Sequence, residues 1–204
     1  MQKHVAFHFD FGSPNSYLAH LLIPGLAQAY GATFTYVPVL LGGIFRATGN
    51  RAPGETNAGI ENKLRYERRD LLRFTERNGI VDEFSFNPYF PINTLQLMRG
   101  CIAAHRLGVF ELYMERVFRG MWQFEQNLGD PEVLSRWLTD GGLEAEPLFA
   151  LIQDPEVKTQ LISNTEMAVS AGDFGAPTFH YDGEIYFGKD RIRDLEQHLA
   201  GLDN

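Results

Sequence analysis

The chain has 204 residues, 44% of them hydrophobic, and a formal charge of −8. That length holds one generous domain or two small ones sharing an interface, and the acidic balance argues against a nucleic-acid partner, which would require a basic face. No apolar run nears the roughly 18 residues that mark a bilayer-spanning helix, and the single cysteine, Cys101, excludes an internal disulfide and any Cys-x-x-Cys motif.

Met1-Gln2-Lys3 leads at once into a strand, so no secretory leader is expected and the cytoplasm is the expected compartment. Val5, Phe7 and Phe9 alternate at the period of that strand. His4 and His8 share its other face about 13 Å apart, too far to hold one metal ion, and no His-Glu-x-x-His occurs, so no metal is expected. A turn through Asp10, Phe11 and Gly12 then hands over to a helix. Ser13 supplies an N-cap oxygen and Pro14 a preset φ at the first helical position. The first turn of such a helix presents unpaired N–H groups and partial positive charge, which favour an anion in front of Ser13. A helix over residues 14–30 is expected, kinked or broken at Pro24 and closed by Gly31, and a second strand over 33–39. The unit is βαβ, with a parallel pair and a right-handed crossover.

Residues 41–54 contain four glycines and a proline and read as a loop. They lack the pattern of a phosphate cradle. Residues 60–78 form a charged helix with Arg65, Arg69, Arg73 and Arg77 on one stripe. Glu61, Glu67, Asp70 and Glu76 on the same helix make it a solvated, salt-bridged face. A proline-punctuated aromatic loop spans 86–91. Helices follow at 93–107, 109–124, 131–139, 147–152 and 155–171. Cys101 sits in an apolar helical pattern and reads as an inert core residue. Residues 177–181 and 184–187 form a hairpin around Asp182-Gly183, and residues 190–200 a last helix.

The order βαβ, helices, ββα defines an α/β protein with a large all-helical insertion after the second strand. The sheet domain is discontinuous, 1–41 with 172–204, and the inserted helical domain is 42–171. Phe174-Gly175-Ala176-Pro177-Thr178-Phe179 completes the pattern, which resembles the thioredoxin fold. The resemblance implies a cis peptide at Pro177 and an Ala176 backbone that meets an extended peptide ligand. Where thioredoxin-like oxidoreductases carry Cys-x-x-Cys, this chain has Ser13-Pro14-Asn15-Ser16, which rules out disulfide exchange there.

Asp10-x-x-Ser13-Pro14-x-Ser16-Tyr17-Leu18 is similar to the kappa-class glutathione transferases and, more closely, to the 2-hydroxychromene-2-carboxylate isomerases. Gly42-Gly43-Ile44-Phe45, Thr48-Gly49-Asn50, Phe90-Pro91-Ile92-Asn93-Thr94, Met121-Trp122 and Gly188-Lys189-Asp190-Arg191 extend the likeness over nearly the whole chain. It implies a glutathione-dependent cis–trans isomerase acting on a small aromatic catabolic intermediate, and a homodimer. Ser13 would hydrogen-bond the glutathione sulfur, Asn50 and Lys63 would lie near its glycine end, Ala176 and Pro177 would clamp its cysteinyl part, and Asp190 would meet its ammonium. Apart from the resemblance, Phe45 and Trp122 read as core residues that could also line an aromatic substrate pocket between the domains. Lys189 departs from the serine of the kappa enzymes, so a contact to the glutamyl carboxylate is replaced or lost.

From the residues alone, Ser13 is equally well a helix cap, and Asn50, Lys63 and Asp190 are ordinary turn, surface and cap residues. A kappa-like transferase is the first alternative function, a non-catalytic thioredoxin-fold binding protein the second.

Overall fold

The computed structural model describes residues 2–202, so positions 1 and 203–204 of the two expected terminal segments lie outside the described residues. Strands β1 (Lys3–Phe9) and β2 (Ala32–Pro38) flank helix α1 (Pro14–Tyr30) and pair in parallel, Lys3 opposite Ala32 through Phe9 opposite Pro38. Strands β3 (Thr178–Tyr181) and β4 (Glu184–Phe187) close a four-stranded sheet of order β2-β1-β3-β4, with β3 antiparallel to β1 and β4 antiparallel to β3. Asp182 and Gly183 take φ of 49° and 84°, the left-handed pair that a two-residue hairpin requires.

Between β2 and β3 lie α2 (Leu41–Thr48), a short α3 (Pro53–Thr56), α4 (Glu61–Asn78), α5 (Leu95–Arg106), α6 (Phe110–Trp122), α7 (Pro131–Asp140), α8 (Ala145–Ile152) and α9 (Pro155–Ser170); a 3-10 turn at Lys189–Arg191 leads into α10 (Ile192–Leu199). The glycine-rich segment expected as a loop is therefore helical over its first eight residues. Burial overrides the poor helix propensity of its glycines: Ile44 is fully buried in a cluster with Val39, Ala168 and Ala176. Gly43 permits the approach of α2 to α9, since a Cβ there would sit 3.0 Å from the Thr165 methyl carbon.

Helix α1 also runs through Pro24 unbroken. Ile23 and Leu26, on either side of it, are each 4% exposed, and their packing offsets the hydrogen bond that proline cannot make. Among the described residues the salt-bridged face expected on α4 reduces to one pair within the helix, Arg69 with Glu76 at 3.6 Å, both half exposed and worth little.

One face of β1 feeds the core. Phe7, Phe9, Phe11, Tyr17, Phe118 and Trp122 are fully buried, with edge-on ring contacts such as Phe11 to Phe118 at 4.7 Å. A single apolar cluster runs from this sheet face into α5, α6, α7 and α8, so these four helices share the core of the sheet. Cys101 lies within it, its thiol pushed well up by burial and 3.6 Å from the Met114 sulfur. Among the described residues no helix is long and apolar enough to cross a membrane.

Candidate functional site

The turn between β1 and α1 is fastened from three sides. The Asp10 carboxylate, 1% exposed, accepts the backbone N–H of Gly12 and that of Leu41, each at 2.8 Å, and a further bond from the Thr94 hydroxyl. Burial raises its pKa, opposed by those three donors. Gly12 fits the turn closely, since a Cβ there would lie 3.1 Å from the Thr94 methyl and 3.3 Å from Asp10 Oδ1. Below the turn, the N–H of Phe11 donates to Met98 Sδ at 3.4 Å, and Trp122 Nε1 donates to the Phe11 carbonyl at 2.7 Å. Asp10 thus shapes the backbone. Its contact with Ser13 is through the main chain, the Ser13 N–H donating to the Asp10 carbonyl at 3.0 Å.

Ser13 has extended backbone (φ −98°, ψ 114°), and its Oγ accepts the N–H of Ser16 at 3.2 Å, capping α1. The same hydroxyl donates to the Ala176 carbonyl at 2.9 Å. Ala176 precedes Pro177 across a cis peptide bond. The amide nitrogen of Asn50, just beyond α2, donates to the Phe174 carbonyl at 2.7 Å. Four of the predicted residues, Ser13, Asn50, Ala176 and Pro177, therefore meet around one loop. Ser16 Oγ and Asn15 Oδ1, buried in the first turn of α1, have no partner among the described residues, which leaves polar demand at this helix start.

The other predicted residues are arranged differently. Asp190 is exposed, but its carboxylate accepts from Lys189 Nζ at 2.8 and 2.9 Å. Lys189 is only 4% exposed. Its ammonium also donates to Asp70 on α4 at 2.8 Å and sits 4.8 Å from the centre of the Phe74 ring. Lys63 is exposed on the first turn of α4, with no contact to Ser13 among the described residues. Trp122 is fully buried, as its core reading expects. It buttresses the Phe11 carbonyl from behind, with Phe86 and Phe90 packed at 5.9 and 5.7 Å. Phe45 is half-buried on α2, away from that aromatic cluster.

A cavity of about 500 Å³ opens between α2, α5 and α9. Leu40 and Leu95 on its wall neighbour Leu41 and Thr94, the residues that bind Asp10. Arg46, Arg99 and Lys158 also line it, and no side-chain ion pair engages them among the described residues. Arg99 Nε is buried without a partner. Sequence reasoning missed this lining, because the three cations come from three separate helices; it also missed Asp70 as a partner of Lys189.

The DSBA-like thioredoxin domain family matches residues 4–200. A 2-hydroxychromene-2-carboxylate isomerase of Sphingobium xenophagum is 28% identical over 98% of this chain and 99% of that protein, and glutathione S-transferase kappa 1 of Homo sapiens is 26% identical over 98% and 92%. A solved 2-hydroxychromene-2-carboxylate isomerase structure superimposes with a TM-score of 0.83 at 26% identity, covering 98% of this chain and 95% of that one.

Proposed function

The chain belongs to the DSBA-like thioredoxin domain family, and within it we propose that this protein is a glutathione-dependent cis–trans isomerase of small anionic aromatic compounds, of the 2-hydroxychromene-2-carboxylate type. The observation that carries the reading is the Ser13 hydroxyl, set at the start of α1 and bonded to the Ala176 carbonyl. A helix N-terminus with a hydroxyl donor stabilises a thiolate. The chain has no thiol of its own there, and Cys101 is sealed in the core. The sulfur must come with a ligand.

The serine has one proton to give, and in this structure it goes to Ala176. An extended cysteinyl ligand that lays its own N–H on the Ala176 carbonyl replaces Ser13 as donor, in the manner of strand addition. The freed hydroxyl then turns to the sulfur. Binding and activation are thereby one exchange of hydrogen bonds, with no buried group left unpaired. Asn50 holds the loop in place through the Phe174 carbonyl.

Held there by Ser13, Ala176 and Asn50, glutathione would supply a thiolate able to add reversibly to a double bond conjugated with a carbonyl, which would permit cis–trans rotation with glutathione regenerated and no net gain or loss of electrons. The cavity beside the turn suits the substrate: Leu40, Leu161, Ile162 and Val169 give an apolar wall, and Arg46, Arg99 and Lys158 a positive one.

The names of the isomerase and kappa-transferase relatives support this reading. A kappa-like transferase would use the same thiolate and keep the sulfur in the product. The test is calorimetric titration with glutathione, followed by turnover of a 2-hydroxychromene-2-carboxylate with mass spectrometry of the product. An isomer of unchanged mass is expected. A glutathione adduct would assign the transferase, and no heat of binding would leave a binding protein without this chemistry.

A further inference from the structure

We propose that His8, Asp173 and His180 form a binding site for one divalent transition-metal ion of the zinc, cobalt or nickel class. In the register of β1 and β3, His8 stands opposite Thr178 and Ala6 opposite His180. The two histidines are therefore diagonal neighbours on the same sheet face, with ring centres 4.5 Å apart. Asp173 reaches between them from the segment joining α9 to β3. Its Oδ2 lies 2.8 Å from His8 Nδ1 and its Oδ1 2.6 Å from His180 Nε2. One ligand atom from each residue lies within 4.8 Å of both others.

Two imidazole nitrogens and a carboxylate oxygen are the donor set that zinc and its neighbours prefer, and three protein ligands leave coordination positions for water. The side chains of His8 and His180 are 12% and 22% exposed, so an ion can enter from solvent. The far nitrogen of neither ring is a buried orphan. Each imidazole can therefore carry its proton on the far side while the near nitrogen takes the metal, and the ion replaces two hydrogen bonds with three coordinate bonds. A shift of the rings by under about 1 Å brings the nitrogens to metal distance.

The site also has a place in the architecture. Asp173 precedes Phe174, which receives Asn50, and stands three residues before Ala176, which receives Ser13. A bound ion fastens this loop to β1. The reading is independent of the glutathione chemistry, because none of the three residues contacts Ser13 or the cavity. Sequence reasoning paired His8 with His4 on its own strand; the neighbours that matter come from the far end of the chain.

The experiment uses untagged full-length protein stripped with a chelator. Co(II) is titrated with visible absorption as readout, and Zn(II) by calorimetry at mildly alkaline pH, where imidazoles are neutral. One ion per chain is expected, with binding weakened about tenfold or more in Asp173→Asn and in His180→Ala. His4→Ala should bind as the unaltered protein does. Circular dichroism checks the fold of each variant, with His8→Gln as a replacement should one fail. Absence of Co(II) and Zn(II) binding by the unaltered protein overturns the proposal. So does binding that survives in Asp173→Asn and His180→Ala alike.

Discussion

The two ends of the proposed glutathione trough are built on opposite plans. At the Ser13 end the contact open to exchange is a neutral hydrogen bond: the Ser13 hydroxyl sits on the Ala176 carbonyl, and a ligand N–H can replace it. At the Asp190 end the carboxylate that would meet the glutathione ammonium already accepts an internal cation, Lys189, which Asp70 and the face of Phe74 hold in place. The first end is poised and the second is occupied. In the proposed site the thiol-facing half is open to exchange, while the carboxylate proposed for the ammonium is already paired with Lys189.

The largest effect should come from Ser13→Ala. If Ser13 is the donor to a thiolate, turnover falls by about 10²- to 10³-fold, as when an oxyanion donor is removed, while loss of the N-cap lowers stability by only about 1 kcal/mol. Steady-state kinetics beside urea unfolding separates the two, and a variant with the stability loss but full turnover reduces Ser13 to a cap. At the other end, Lys189→Ser unblocks Asp190, and glutathione should bind about tenfold more tightly by calorimetry. Weaker binding in that variant would reverse the comparison, making Lys189 itself a receptor for a ligand carboxylate.

A smaller effect is expected behind the turn. Trp122→Phe keeps the aromatic packing but leaves the Phe11 carbonyl without its indole donor, at a cost of about 1 to 3 kcal/mol in chemical denaturation. Turnover should fall only several-fold, since the indole acts on the turn and not on the ligand.

The effect furthest from turnover, on stability alone, concerns the helix that carries Ser13. His20 on α1 is stacked on Phe118 and bonded to Tyr36, and burial lowers its pKa to about 4. Its folded value lies below its unfolded value, so unfolding takes up a proton between about pH 6.5 and 4. Stability is full above that window and is lost as pH falls through it. Melting temperature against pH should show this slope in the unaltered protein and lack it in His20→Phe. An unchanged slope in that variant would move the acid sensitivity to the carboxylates.

The features legible along the chain are those that short-range chemistry controls. Ser13-Pro14 and Gly31 bound α1, Asp182-Gly183 sets the hairpin, and the alternation of Val5, Phe7 and Phe9 aims β1 at the core. Each rests on the torsional limits or periodicity of a few adjacent residues. The family motifs, being local strings too, were legible for the same reason. Only the tertiary structure decided which polar atoms meet. It gave the Ser13 hydroxyl a carbonyl 163 residues away, the Lys189 ammonium a carboxylate 119 residues away, and Trp122 a role behind the turn. It also wound the glycine-rich start of residues 41–54 into α2, because burying Ile44 outweighs what the glycines cost. Partners at such separations follow from how whole elements pack, and a chain read residue by residue carries no local signal for them.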